Sequence, residues 1–575
     1  MNPRAEHPKP QFERDTWMNL NGEWSFELDN GKSGAERGLF LNSQKFSSKI
    51  MIPFCPESKL SGIEHKDFMY GVWYKRSFVL NKEQVTGRTC VHFGAVDYGC
   101  NVYVNERLVG THQGGYVSFF FDISKYVLEG ENTLTVYAWD DVRSKHIPRG
   151  KQCEEYYSRE CAYTRTTGIW QTVWLEFTPR TYIKWVKYYP DTQAGTLAVQ
   201  AELEGAEKFE LRAFYEGKLV GHSNLTSKGG AVNVILPLSE IHLWEPGCGR
   251  LYDLELEYGD DHVKSYFGLR SIRLDGMRFM INDKSVFQRL VLDQGFYPDG
   301  VYTAPSDEAL LNDIQLAMNM GFNGARLHQK VVEERFLYHC DRMGYLIWAE
   351  FPNWGLDHSR ADSIYGILPE WIEEIHRDFN HPSIIGWCPF NETWDVKGRH
   401  QYNDCIRLVY DVTKKLDPTR PCIDTSGNYH VKTDIYDVHD YEQRPDVFRM
   451  HYDKLMTDGT LFDTAGTHCD REGHLFQCGY HGEPTFVSEY GGIQWSSDRE
   501  GWGYGEAPKT KEEFIDRFTR LTEALIQNNK MFGLCYTQLT DVEQEQNGLY
   551  TYDRRPKFEP EIFRSVLSQR AAIED

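Results

Sequence analysis

Through the first third of the chain, apolar and polar positions alternate with the period of two that marks strands half buried against a core. Residues 89–109 alternate well, with Asn105-Glu106 inside them as a hairpin turn, and further strands are expected over 132–139 and 168–175. Many short strands with turn signals predict a β-sandwich over 1–180. A second set of short strands, 197–203, 209–215, 231–236 and 252–258, predicts an immunoglobulin-like β-sandwich over 181–275. From about 276 the period changes. Helical stretches (307–320, 333–343, 367–379, 403–416, 510–529) alternate with short apolar runs (290–292, 323–327, 345–351, 384–390, 435–438, 485–489, 531–538). The last long helix opens on a capping box, Thr510-x-x-Glu513. This alternation predicts a (β/α)₈ barrel, a TIM barrel, over 276–575.

Two of the apolar runs end in glutamate. Glu392 lies in Gly386-Trp387-Cys388-Pro389-Phe390-Asn391-Glu392-Thr393-Trp394, and Glu489 lies in Phe486-Val487-Ser488-Glu489-Tyr490-Gly491-Gly492. An ionisable group at the end of a buried strand is costly unless it has a task. Two such groups on strands of one barrel are the equipment of a glycosidase, in which one carboxyl protonates the leaving oxygen and the other attacks the anomeric carbon.

A length of 575 residues suits three or four domains. The net charge of −22 repels phosphate backbones and anionic membranes, so neither nucleic acid nor membrane is expected as a partner. The start of the chain, Met1-Asn2-Pro3-Arg4-Ala5-Glu6-His7-Pro8, has no apolar core of a signal peptide. Thirteen cysteines, an odd number without a framework, fit reduced thiols. A cytoplasmic protein is expected, without a cofactor, and a homo-oligomer is left open. The cluster His468, Cys469, His474, Cys478 and His481 lacks standard zinc spacing and is read as a solvated loop rather than a metal site.

At these residues the chain resembles glycoside hydrolase family 2, the family of β-galactosidases, β-glucuronidases and β-mannosidases. The resemblance is carried by Met18-Asn19-Leu20-Asn21-Gly22-Glu23-Trp24, Gly168-Ile169-Trp170, Leu243-Trp244-Glu245-Pro246, Phe267-Gly268-Leu269-Arg270, Asn380-His381-Pro382-Ser383 with Asn391-Glu392, and Ser488-Glu489-Tyr490-Gly491. It implies a jelly-roll first domain, Glu392 as acid/base and Glu489 as nucleophile of a retaining mechanism. It also implies a tyrosine against the nucleophile, matched here by Tyr441. The family's β-glucuronidases bind the sugar carboxylate through Asn-x-Lys near the last strand. The corresponding stretch, Glu543-Gln544-Glu545-Gln546-Asn547-Gly548-Leu549, has no lysine, which argues against glucuronides.

Other candidates cluster at strand ends. Asn391 suits a hydrogen bond to the sugar 2-hydroxyl. Arg326, always charged, suits the task of orienting Glu489 and keeping it ionised. His328, Gln329, Asp293, His439, Trp348 and Trp394 join them as substrate-binding candidates. Tyr490 is either a pocket residue or core, and Glu350 is either a rival carboxylate or half of a structural ion pair. Arg165 lies in a first-domain loop that the resemblance brings to the barrel mouth. Gly501-Trp502-Gly503-Tyr504-Gly505 is expected as an exposed, flexible pocket rim. The leading expectation is an exo-acting retaining β-glycosidase, with β-galactosidase the best single label. Its rivals are a uronic-acid-specific glycosidase, β-galacturonidase or β-glucuronidase, and a noncatalytic carbohydrate-binding protein.

Overall fold

The computed structural model describes residues 3–393, 400–427, 429–462, 478–496 and 501–574. The chain opens with two facing antiparallel sheets. One runs in the order Trp17–Asn19, Val173–Thr178, Arg88–Phe93, Phe119–Asp122. The other runs Ser48–Ile52, Gly22–Leu28, Val72–Leu80, Gly130–Trp139, Gly99–Val104, Arg107–Gln113. Their inner faces bury Trp24, Phe26, Tyr74, Val91, Phe93, Val102, Leu134 and Leu175. Asn105 and Glu106 both have positive φ, as the tight hairpin between Gly99–Val104 and Arg107–Gln113 requires.

A second sandwich follows. Tyr182–Asp191, Thr196–Glu204 and Gly230–Pro237 face Lys218–Ser227, Glu207–Tyr215, Tyr252–Tyr258 and Asp261–Phe267. The sequence pattern marks four of these strands. It misses Lys218–Ser227, whose outer face is polar along most of its length, and it misses the two flanking strands.

The rest of the chain winds a parallel sheet inside a ring of helices. Seven strands pair in the order Ile384–Cys388, Leu346–Glu350, Gly324–Leu327, Gln288–Asp293, Met531–Thr537, Thr485–Gly491, Val438–Asp440. Phe390–Asn391 pairs in parallel with Thr425–Ser426, which carries the sheet on toward Val438. Among the described residues no helix separates Thr425–Ser426 from Val438–Asp440, so the strand–helix alternation lapses once. Helix boundaries follow local chemistry. The Ser306 side chain accepts from Ala309 N at the start of Asp307–Met320, and Gly321 ends that helix at φ +100°. Thr510 accepts from Glu513 N, while Glu513 reaches back to Lys509 N rather than to Thr510.

The hairpin Ile272–Asp275 and Arg278–Ile281 packs Phe279 against Trp348 and Phe532 at the amino-terminal end of the barrel. One apolar core joins the barrel to first-domain aromatics: Tyr116, Tyr163 and Trp170 pack with Phe296 and Tyr302. Each such fully buried aromatic contributes about 1.5–3 kcal/mol of transfer free energy. The first domain is thereby seated on the carboxyl-terminal face, where the strand-end glutamates lie.

Candidate active site

Period-two alternation decides which strand residues face the barrel axis. On Thr485–Gly491 it turns Glu489 inward and Tyr490 outward. Tyr490 is fully buried against Phe448 and Tyr536 with its hydroxyl 2.8 Å from Thr522 Oγ1, so it belongs to the core. On Val438–Asp440, His439 faces inward, while Asp440 accepts from His451 and Tyr452 behind the strand. On Gln288–Asp293, Leu292 reaches the cavity, whereas Asp293 faces out and accepts from Gly295 N; Gln294 turns inward again. Asp293 therefore lies behind the wall, where burial first and the nearby Asp313 push its carboxyl up to about 6. Trp348 does face the axis, but one layer too low: its Nε1 donates to Gln288 Oε1 at 2.8 Å beneath the site.

The inward residues meet in a cavity of about 690 Å³ lined by Glu392, Glu489, His328, Tyr441, Trp354 and Thr537 among others. A carboxylate oxygen of Glu392, one of Glu489 and a ring nitrogen of His439 all lie within 4.8 Å of one another. Glu489 is deeply engaged. Arg326 Nη1 donates to its Oε1 at 3.1 Å, and the Tyr441 hydroxyl donates to its Oε2 at 2.6 Å. Burial alone would raise its pKa, but His439, His328, Arg326 and Tyr441 reverse the sign and hold the carboxyl well below the usual range.

Arg326 is the hub behind the site. It also donates to Glu350 Oε2 at 2.6 Å, to Asn391 Oδ1 at 3.0 Å and to the Ser488 carbonyl at 2.8 Å. Glu350 is fully buried and accepts from Gln329 N at 3.1 Å, with His328 Nδ1 3.0 Å away. It is thus the far half of an ion-pair network, out of reach of the cavity. Asn391 is held by Asn353, whose Oδ1 accepts from its backbone N–H at 2.9 Å. The Asn391 carbonyl accepts from Asn353 Nδ2 and Trp354 Nε1, both at 3.1 Å. Gln329 supports the same corner rather than the cavity, donating to Asn353 Oδ1 at 2.6 Å and accepting from Trp354 N at 3.0 Å.

Glu392 takes φ +45°, a left-handed conformation that costs a non-glycine residue about 1–3 kcal/mol. Its N–H donates to the Ser426 carbonyl at 2.9 Å, which fixes that conformation. His439 Nδ1 lies 2.7 Å from Glu392 Oε1, and the other ring nitrogen lies 3.0 Å from Ser426 Oγ. Burial lowers the affinity of this imidazole for a proton, yet Glu489 and Glu392 together raise its pKa above the ordinary value. Gly427, at φ +92°, leaves the ring its place, because a Cβ there would stand 2.6 Å from His439 Nδ1.

The first domain closes one side. Its 149–165 segment lays Lys151 and Cys161 along the cavity, together with barrel residues Trp502, Tyr504 and Glu545. The loop does reach the barrel mouth, but through Tyr163, whose hydroxyl donates to Glu545. Arg165 points the other way. It stacks over Phe68 at 4.2 Å and donates to the backbone carbonyls of Cys153, Lys66, Glu155 and Tyr156, beside a separate cleft. The 501–505 loop is a pocket rim but not an exposed one: Trp502 N donates to Gln544 O, Tyr504 N to Gly492 O, and the Tyr504 ring stacks on Tyr441 at 3.5 Å. Trp394, His468, Cys469 and His474 lie outside the described residues. Lys151, Thr537 and Ser426 carry no motif of their own. Glu545 was within reach, since it sits in the very stretch that lacks the lysine.

Residues 17–179 match the model of glycosyl hydrolases family 2, sugar binding domain, and residues 272–570 match that of glycosyl hydrolases family 2, TIM barrel domain. The chain belongs to glycosyl hydrolases family 2. A putative β-glucuronidase of Formosa agariphila is 27% identical over 378 residues, 62% of this chain and 34% of that protein. A β-galactosidase of Thermoanaerobacter pseudethanolicus is 26% identical over 411 residues, 67% of this chain and 51% of that protein. The chain thus spans about a third and about half of these two relatives. Among solved structures, an uncultured Clostridium sp. β-glucuronidase shares the fold with a TM-score of 0.79 and 20% identity, covering 98% of this chain and 99% of that one.

Proposed function

We propose that the chain is an exo-acting retaining β-glycosidase that removes terminal, non-reducing β-linked sugars, with Glu489 as nucleophile and Glu392 as acid/base. One observation carries this reading: Glu392 and Glu489 present carboxylate oxygens within 4.8 Å of each other across one cavity. That short separation suits direct attack on the anomeric carbon rather than the wider carboxyl spacing of an inverting enzyme. The Arg326 and Tyr441 contacts keep Glu489 ionised and aimed. Glu392, paired with His439, hands its proton to the leaving oxygen and later takes one from water. Asn391, oriented by Arg326, supplies the contact to the sugar 2-hydroxyl.

For the sugar, β-galactoside is the first choice. Its support is the absence of a lysine after Asn547 and the presence of Glu545 on the cavity wall. A uronic-acid-specific enzyme, β-galacturonidase or β-glucuronidase, is the second reading. A specific observation favours it: the Lys151 ammonium reaches the same cavity, and relatives named β-glucuronidase exist. Hydrolysis of a panel of nitrophenyl β-glycosides (galactoside, glucuronide, galacturonide, mannoside, arabinoside) tests both readings. Turnover of none of them overturns the proposal, and a uronide as the best substrate replaces the first choice with the second.

A further inference from the structure

Lys151 is 5% exposed, and its ammonium stands 4.3 Å from the centre of the Trp354 ring. It lies on a segment pinned to the barrel rim. Arg149 N and Gly150 N both donate to the Trp354 carbonyl, and the Lys151 carbonyl accepts from Tyr163 N at 2.7 Å. Gly150, at φ +55°, permits this close approach: a Cβ there would stand 2.5 Å from the Gln329 carbonyl oxygen. Facing the same cavity is Glu545, 2% exposed and locked by the Tyr163 hydroxyl and by Asn547 Nδ2 at 3.0 Å.

The two opposite charges share one cavity without closing on each other. Among the described residues no carboxylate oxygen comes within 4.0 Å of the Lys151 ammonium, and the Cys161 side chain lines the same cavity. Burial disfavours the lysine's charge, but Cys161, Glu545, Glu489 and Glu392 outweigh that and keep it protonated. A buried ammonium and a buried carboxylate on the wall of one cavity offer a donor and an acceptor to the same ligand. Each is held by contacts of its own, Lys151 over the Trp354 ring and Glu545 by Tyr163 and Asn547.

Resting on the glycosidase reading above, we propose that Lys151 and Glu545 together bind one hydroxyl of a neutral sugar, which accepts from the ammonium and donates to the carboxylate. A hydroxyl is the group that does both at once. A uronate carboxylate could pair with Lys151 but would add a further negative charge beside Glu545 and Glu489. The pair thus selects against uronides and fixes which hydroxyl is read, with the first domain contributing half of the selection.

The test uses Lys151→Met, Lys151→Gln and Glu545→Gln in the full chain, with folding checked by thermal unfolding. The substrates are the neutral nitrophenyl β-glycoside that the unaltered protein turns over fastest and its 3-, 4- and 6-deoxy analogues. Each variant is expected to lose kcat/KM on the parent sugar by on the order of 10- to 100-fold. On the one analogue lacking the bridged hydroxyl that penalty should shrink to within about 3-fold. Glu545→Gln should also narrow the preference for the neutral sugar over its uronide. Equal penalties on all four substrates, or none, overturn the pair while leaving the glycosidase reading intact. A uronide preference abolished by Lys151→Met overturns it in favour of carboxylate binding. Absence of turnover by the unaltered protein on any β-glycoside overturns the underlying reading instead.

Discussion

His439 Nδ1 stands 2.7 Å from Glu392 Oε1, and the same ring faces Glu489 across 3.5 Å. One imidazole therefore touches both carboxylates, on a strand adjacent to that of Glu489. Its proton is held by two negative neighbours, which is why its pKa is raised despite complete burial.

That relationship sets a pH dependence. A histidine whose pKa is raised on folding contributes stability below its unfolded value, near 6.5, and loses it as pH rises through the higher folded value. Turnover of unactivated glycosides should fall over the same alkaline window, as His439 beside Glu392 loses its proton. Glu489 is depressed and stays ionised throughout. A pH profile of kcat/KM for His439→Gln should lose or shift the alkaline limb. An unchanged limb would assign it to another group.

The two glutamates should fail differently when shortened. Glu489→Ala should lower turnover of every substrate by roughly 10⁴-fold or more. Glu392→Ala should spare formation of the glycosyl-enzyme from activated aryl glycosides but stall its hydrolysis, and azide should rescue it as a β-glycosyl azide. Product stereochemistry by NMR decides this. An α-azide from Glu392→Ala, or a β-azide from Glu489→Ala, would reverse the two roles.

Arg326 neutralises two buried carboxylates at once. Arg326→Met removes the guanidinium that Glu350 and Glu489 share and should cost about 3–5 kcal/mol in chemical denaturation. Tyr441→Phe removes a single hydroxyl and should reduce kcat by roughly 10- to 100-fold with under about 1 kcal/mol change in stability. Equal stability losses for the two would contradict the hub.

Glu370, on the helix Ile364–Asp378, accepts the backbone N–H groups of Tyr116 at 2.6 Å and Val117 at 3.1 Å from the first domain. Burial raises its carboxyl to about 7. A raised carboxyl favours folding below its unfolded value and withdraws that support as pH climbs toward 7. Unfolding free energy should therefore fall between about pH 4.5 and 7 by on the order of 1–3 kcal/mol through this group. Denaturation of Glu370→Gln at several pH values should show a flatter decline; the same decline as the unaltered protein would exclude Glu370 as its source.

Much of this was legible along the chain. Strand-end glutamates are visible because burying a charge at the end of an apolar run is conspicuous, and Arg326, His328 and His439 follow by the same logic, whereas Tyr441 is reached only through the family resemblance. Tyr490, Asp293 and Trp348 show the limit: each is one position or one layer from the cavity, and a single step of a strand exchanges lumen for core. Arg165 shows another limit, since its two terminal nitrogens found backbone carbonyls within the first domain. Lys151 could not be found by strand logic, because a loop of one domain meets the pocket of another only after both have folded.

That loop has a consequence for how specificity can change. The two glutamates and the side chains that hold them stand at barrel strand ends, whereas the 149–165 wall hangs from the first domain. Exchanging that module between relatives should retune which sugar is accepted while the bond-breaking apparatus stays as it is. Without that wall the two glutamates would stand in a trough open on one side.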